Sequence, residues 1–293
     1  MHPNPADTMK RQDFRFFERL RVRWSEVDMQ KIVFNGPYLM YLDTAVAGSW
    51  RALAMPYHEV MERLQGDLFV RKATLDYLGS ARYDDLCDVG LRCEHIGKSS
   101  LRFVAALFRG ETLLVHGELV YVFADPVAQT SKPVPDVLRE LFLGFERGEP
   151  VLDIKLGGWA ELGSAATAVR QAVFVDELKI AAGMASDAED ASAITAVAVN
   201  RFDMPVATGR LLAHAPGVMK LSRLAVLQAV RGSGIGGQVL DALVQQAREQ
   251  DVGAVLLHAQ PSAVAFYVRA GFAPTGVAFE EAGLAHVEMQ RIL

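Results

Sequence analysis

Residues 231–237 read RGSGIGG, four glycines behind one arginine. They stand directly after the apolar run LSRLAVL, and IGGQVLDALVQQAREQ, whose apolar residues recur at helical spacing, starts inside the glycine run. Glycine lets a backbone approach a ligand closely, and the first turn of a helix offers unpartnered N–H groups at the positive end of its dipole. Together they make a cradle for an anion, most often a phosphate. A second grouping lies far upstream in RVRWSEVDMQKIVFNGPYLMYLD, where Glu26 and Asp28 precede Asn35 and Tyr38 at the head of an apolar helix. A carboxylate near a helix N-terminus can act as nucleophile or base on a carbonyl whose developing charge the amides receive. GKSS at 97–100 adds Lys98, Ser99 and Ser100, a charge and two hydroxyls suited to phosphate oxygens. Near the end of the chain, Tyr267, Glu280, Glu281 and His286 are groups able to give or take protons.

The chain that must position these groups has 293 residues, 51 % of them apolar, enough for two ordinary domains. Its net charge is −5, and neither half has a basic excess, which argues against a nucleic-acid partner. No basic run adjoins an apolar stretch, and no segment approaches the roughly 20 apolar residues of a membrane span, so no membrane role is expected. The first residues do not read as a secretory signal, and the expected location is cytoplasmic. Cys87 and Cys93 are evenly spaced in a strand-like stretch and read as structural thiols; no paired CxxC is present, and no metal site is expected.

A short strand is expected in LRVRWSEVD, then a long helix from Tyr38 to Leu53 with Pro37 in its first turn. Four strand-like runs follow, LFVRKATLDYL, DDLCDVGLRCEHI, SLRFVAALFRG and ETLLVHGELVYVFAD, then the helical PVPDVLRELFLGF. This order predicts an antiparallel sheet wrapped around the long helix. FERGEPVLDIKLGGWAEL is the best linker candidate, and beyond it helices and strands alternate as a mixed α/β domain. The expected domains are 10–147 and 152–293.

Three ligands compete for the glycine loop. Gly232, Gly234 and Gly237 satisfy the GxGxxG spacing of dinucleotide sites, but too few residues remain for the further βα units such a fold needs. A triphosphate loop needs Lys and Ser/Thr after its last glycine, where Gln238 and Val239 stand. A strand, Arg-x-x-Gly-x-Gly and a helix resemble the acyl-CoA-binding segment of the Gcn5-related (GNAT) N-acetyltransferases. Ala263, Tyr267, Gly271 and Phe272 are similar to that family's later segment, and VRQAVFVDE, ATGRLL, LLHAQ and FEEAGLAHVEM resemble its ElaA-like branch. The resemblance implies that Arg231, Gly232, Ser233, Gly234, Ile235 and Gly236 hold the pyrophosphate of coenzyme A, and that Ala225 and Val226 offer main-chain groups to the pantetheine arm and acetyl carbonyl. It also implies that Tyr267 protonates the departing thiolate. Glu280, Glu281 and His286 are candidates for the base. Two departures lie toward the amine side: Leu178 replaces an expected glutamine, and DAEDASAITAV lacks the usual histidine.

Residues 15–145 resemble the 4-hydroxybenzoyl-CoA thioesterase (YbgC/FadM-like) type of hotdog protein. Glu26, Asp28, Ile32, Val33, Asn35 and Tyr38 carry that likeness, with Asp76, Tyr77, Ala81 and Tyr83 further on. It implies acyl-CoA hydrolysis with Asp28 as nucleophile or base, Asn35 and Tyr38 at the thioester, Lys98, Ser99 and Ser100 at the phosphates, and at least a dimer through this half. Lys31 stands where the family has glycine; if the position needs a positive φ, lysine strains the loop. The expected fold is thus an α+β hotdog domain followed by a mixed α/β GNAT domain, and the expected function is an acyl-CoA thioesterase joined to an N-acetyltransferase. Acetyl-CoA and acyl-CoA are the expected substrates, with no metal, and an amine is the acceptor. The alternatives are a coenzyme A-thioester sensor or assembly protein with decayed chemistry, or a C-terminal acyltransferase using a longer acyl group.

Overall fold

A computed structural model describes residues 9–276, 278–281 and 283–293, without the side chains of Met184, Glu281 and Leu284. The chain forms two compact units that meet between Val151 and Leu152.

In the first unit, β1 (Phe16–Arg21) leads through a short turn to α1 (Asn35–Ala52) and α2 (Tyr57–Arg63). Four long strands follow: β2 (Asp67–Tyr77), β3 (Leu86–Ile96), β4 (Ser100–Arg109) and β5 (Thr112–Ala124); α3 (Asp136–Arg147) closes the unit. The strands form one antiparallel sheet in the order β1-β3-β4-β5-β2. Tyr38, Tyr41, Leu42, Ala45, Val46 and Ser49 recur every three or four residues and make the buried face of α1. The helix lies so close to the sheet that a methyl group added at Gly117 on β5 would overlap Leu42.

Three local expectations need correction. The first strand is Phe16–Arg21, not LRVRWSEVD, because the Glu26 carboxylate turns back to accept the Arg23 N–H at 2.7 Å and closes a 3-10 turn over Trp24–Glu26. Helix α1 starts three residues earlier than Tyr38; Pro37 sits in its first turn, where no N–H is needed. Pro56 ends that helix and also caps α2, which the pattern did not reveal.

Most of the expected linker is regular structure: the end of α3, a strand, and the start of the next helix. Only 148–151 joins α3 to β6 (Leu152–Gly157), where Leu152, Ile154 and Leu156 alternate with Asp153 and Lys155. After β6 come α4 (Trp159–Arg170), continued by a π-helical segment Gln171–Glu177, then β7 (Ile194–Asn200), β8 (Pro205–Ala215) and β9 (Val218–Val226). Then come α5 (Ile235–Glu249), β10 (Ala254–Ala259), α6 (Val264–Arg269), β11 (Ala273–Pro274), β12 (Phe279–Glu281) and β13 (Leu284–Ile292). The sheet order is β11-β13-β10-β9-β8-β7-β6, with β12 paired to β13. Ile235, Val239, Leu240, Leu243, Val244 and Ala247 are the buried stripe of α5. Among the described residues, no helix is long and apolar enough to cross a membrane.

Cys87 and Cys93 are both buried and unbridged. Burial pushes their thiols up, to about 11 and about 12.

Candidate active sites

In the C-terminal unit, β9 and β10 are the one parallel pair among the described strands. Their pairing runs from Val218↔Ala254 to Leu221↔Leu257 and stops, although β9 continues to Val226 and β10 to Ala259. The cause lies on β9. Thr208 and Arg210 on β8 face Ala225 and Ser222, so β9 carries one residue more than its neighbour, and Arg223 inside the bulge has φ 55°. A bulge bends its strand and increases the twist. The strands separate, and the gap opens into a cavity of about 1300 Å³.

The glycine loop forms one wall of that cavity. Gly234 caps α5 with φ 84°, and Gly232 has φ 87°; neither position has a neighbour that an added methyl group would meet, so backbone conformation is what glycine supplies there. The Gln238 N–H is bound to the Gly234 carbonyl, so the amides of Ile235, Gly236 and Gly237 head the helix ahead of its first hydrogen bond. Gly232, Gly234, Ile235 and Gly236 line the cavity with Ala225 and Val226. Ser233 does not: its hydroxyl donates to the Val230 carbonyl at 2.7 Å and locks the turn. Arg231 lines the cavity, but its guanidinium does not extend the cradle. It grips Glu177 with two hydrogen bonds of 2.6 Å and the Val226 carbonyl at 2.9 Å, tying the π-helical segment to the loop.

Tyr267 on α6 lines the same cavity at 9 % exposure, and burial pushes its hydroxyl up to about 12. It therefore stays protonated at any physiological pH. His286 also lines the cavity; Glu280 is exposed and is not part of the wall, and the Glu281 side chain lies outside the described residues. Sequence reasoning missed His258, which sits at the end of β10 beyond the last β9–β10 pair, with Nε2 3.9 Å from Glu288 and its ring 4.8 Å from Phe279. A histidine among the apolar residues of LLHAQ was the available signal.

The acidic stretch 187–190 is absorbed by arginines. Arg170, fully buried, meets both oxygens of Asp190 at 2.9 Å, and Arg210 reaches Asp190 at 2.9 Å and Asp187 at 2.6 Å. Arg223 adds a bond of 2.8 Å to Asp187. Arg210, then Arg223, hold the Asp187 carboxyl far below the usual carboxylate range. Burial disfavours ionised Asp190, but the Asp187 amide and the two arginines outweigh it and its pKa is lowered as well.

In the N-terminal unit, Asp28 sits in an exposed loop closed by a Val27–Val33 bridge. Its Oδ1 accepts the Gln30 N–H at 2.8 Å, and the loop delivers the chain to the head of α1. Pro37 has no N–H, so the amides of Asn35 and Gly36 open that helix. Glu26 is a structural carboxylate: besides Arg23 it accepts the buried Tyr41 hydroxyl at 2.6 Å. Tyr38, expected at the thioester, faces inward. It is 2 % exposed, and its hydroxyl accepts the Ala81 N–H at 2.9 Å, fixing the 78–83 segment against the helix. Lys98 is exposed on the β3–β4 turn, whose carbonyls are used internally: Lys98 accepts from Val134 and Ser99 from Phe123. Ser100 is half-buried beside them at the start of β4.

Lys31 has φ 62°, the left-handed region, so the lysine is strained where glycine would not be. Lys31→Gly is expected to leave stability unchanged or raise it by about 1 kcal/mol, since the relieved strain is partly offset by a more flexible unfolded chain. Urea unfolding checks this, and a loss above about 1 kcal/mol would show that the lysine side chain holds the loop.

These features define a chain of two domains. The first is a hotdog domain, with a sheet wrapped on one long helix; the second is an acyltransferase-type α/β domain with a glycine loop at a helix head beside a parted strand pair. A profile of the acetyltransferase (GNAT) domain matches residues 170–293, and one of the thioesterase superfamily matches residues 30–116. "Uncharacterized N-acetyltransferase YjcF" of Bacillus subtilis is 32% identical over 124 residues, 42% of this chain and 87% of that protein. "Acyl-CoA thioester hydrolase YbgC" of Escherichia coli O6:H1 is 26% identical over 118 residues, 40% of this chain and 87% of that protein. The crystal structure of Escherichia coli ElaA, 26% identical, covers 48% of this chain and 99% of its own with a TM-score of 0.44. The chain belongs to the GNAT acetyltransferase family through its C-terminal half, and its N-terminal half carries the match to the thioesterase-superfamily profile. Both are families of coenzyme A-binding enzymes. Among the described residues, no cluster of three or more His, Cys, Asp or Glu side chains suited to a metal occurs.

Proposed function

We propose that the chain is a bifunctional enzyme of the cytoplasm that uses coenzyme A thioesters in two ways: the N-terminal domain hydrolyses acyl-CoA, and the C-terminal domain passes the acetyl group of acetyl-CoA to an amine. The observation that carries the second activity is the single cavity holding the amide row of α5, the free end of β9 and the buried phenol of Tyr267. The pyrophosphate lies on the amides of Ile235 and Gly236, and the pantetheine arm runs along Ala225 and Val226. The amine nitrogen attacks the acetyl carbonyl carbon, and its proton leaves to His286 or His258, which line the same cavity. The carbon–sulfur bond breaks, and the thiolate takes the proton of Tyr267. Burial raises the phenol to about 12, so it carries its proton when the thiolate forms.

Tyr267→Phe is expected to lower kcat for acetyl transfer by about 10²-fold or more while the acetyl-CoA dissociation constant changes by about twofold at most. Steady-state kinetics with calorimetry check this. A loss confined to binding would remove the proton-donor role.

In the N-terminal domain, Asp28 is the nucleophile or the base that activates water, and the amides of Asn35 and Gly36 receive the charge that develops on the thioester carbonyl. Lys98, with Ser99 and Ser100, faces the coenzyme A phosphates from the β3–β4 turn. The domain pairs with a second copy along β2, an edge strand whose Phe69 and Val70 are 43% and 54% exposed. Ligand binding without turnover in both assays would instead favour a coenzyme A-thioester sensor.

A further inference from the structure

The strand β9 runs the length of the cavity. Val226 lies by the glycine loop, and Lys220, six residues back, lies beyond the bulge, at most about 20 Å away along the strand. Lys220 is therefore at the end opposite the phosphate cradle, where an acceptor must enter. Residues 212, 220, 222 and 210 project from the same face of the sheet, because Leu212 pairs with Lys220 and Arg210 with Ser222. All four line the cavity, and so do Arg223, Asp187 and Glu189.

The charges on this wall are unevenly used. Asp187 bonds to Arg210 and Arg223, and Glu189 reaches Arg210 at 3.3 Å. Both carboxylates are thus committed to arginines. Lys220, half-buried, takes part in none of these ion pairs. Nε of Arg223 is buried and has no hydrogen-bond partner among the described residues. The Arg223 side chain as a whole is partly exposed, so the outer part of its guanidinium faces an anion in the cavity. With Arg170 and Asp190 behind this wall, four cations face three carboxylates, and the charge left over is the ammonium of Lys220.

We infer that the acceptor is an amine that also carries a carboxylate, an amino acid or a compound like one, whose anionic end is held by Lys220 and Arg223. This rests on the acetyltransferase reading given above and names the substrate class of that site. The chemistry is consistent with turnover as well as with binding. A cationic wall disfavours an ammonium ion, so it binds the substrate by its carboxylate and eases loss of the amine's proton, which nucleophilic attack requires. A polyamine would meet the same wall with like charge.

The full chain is assayed with acetyl-CoA against free amino acids, the same amino acids as carboxamides, and linear polyamines, by coenzyme A release and mass spectrometry of the products. The free acids are expected to be acetylated at least about tenfold more efficiently than their amides, a difference of about 1.4 kcal/mol. Lys220→Met is expected to raise KM for the acids about tenfold and to leave the acetyl-CoA dissociation constant unchanged. Lys220→Glu is expected to reverse the preference toward the amides and polyamines. Equal use of acids and amides, a preference for polyamines, acetyl-CoA binding with no acid acetylated, or an unchanged KM in Lys220→Met would each overturn the inference and leave the acetyl-CoA site standing. Failure of the wild-type chain to bind acetyl-CoA by calorimetry would instead overturn the acetyltransferase reading, and this inference with it.

Discussion

Asp28→Asn is expected to lower acyl-CoA hydrolysis by about 10²–10⁴-fold and to leave acetyl transfer at the wild-type rate. Asparagine keeps the shape of the residue and one carbonyl oxygen, so the Gln30 N–H that Oδ1 accepts at 2.8 Å retains its partner and the loop keeps its turn. Glu26, not Asp28, secures the loop to α1 through Tyr41, and that bond is untouched. Only the negative charge is removed, and with it the capacity to attack a thioester or to take a proton from water. The acetyl-transfer groups lie in the other compact unit and provide an internal control within one purified chain. Hydrolysis of a panel of acyl-CoAs at near wild-type rate would show that Asp28 is a turn residue and that the nucleophile lies elsewhere.

Asp190→Ala should be the most destabilising single change in the C-terminal domain, by about 3–5 kcal/mol, the usual cost of breaking a buried ion pair from one side. Asp190 is 1 % exposed, and it meets Arg170, which is 0 % exposed, and Arg210, which is 3 % exposed. Arg170 already has Nε and Nη2 buried without partners, and its guanidinium stacks 5.0 Å from the Trp159 ring, so nothing nearby replaces the lost carboxylate. Hydrogen exchange in β7 and β8, read separately from the N-terminal sheet, measures the effect on this domain alone. A loss below about 1 kcal/mol would mean that water reaches the site and the pair is not desolvated. The same cluster fixes a pH response. Folding lowers the pKa of Asp187 and of Asp190, so their contribution is fully present above the ordinary carboxylate value of about 4 and is withdrawn as pH falls through the lower folded values. The acid limb of stability should therefore be shallower in Asp190→Ala.

The parts of this architecture that rest on the main chain were legible in the sequence. The glycine loop and α5 could be read because glycine and a helix start specify backbone geometry locally. The long helix and the four strands after it followed from periodicity, although Pro56 proved to begin a helix as well as to end one. What could not be read depended on residues distant in the chain. Arg231 pairs with Glu177, 54 positions away, so the arginine that resembles a phosphate ligand also clamps the preceding segment. Tyr38, an aromatic residue at a helix head, is consumed by the Ala81 amide, 43 positions on. The pairing of the run DAEDAS was hidden because its arginine partners come from α4, β8 and β9. His258 went unnoticed because only the early end of its pairing with β9 exposes it to the cavity. Lys31 was the converse case, a side chain whose mismatch with its backbone was foreseeable because the resembling family has glycine there.

Four rungs between β9 and β10 join two plates, β6 to β9 on one side and β10 with β13 on the other. In the function proposed above, a guest lying in that cleft is gripped by peptide groups, which every residue possesses. The grip on the carrier is then nearly indifferent to drift in the residues around it, whereas the choice of recipient is written in a few replaceable side chains on the opposite wall. Such a division lets evolution change whom the domain serves without relearning what it carries.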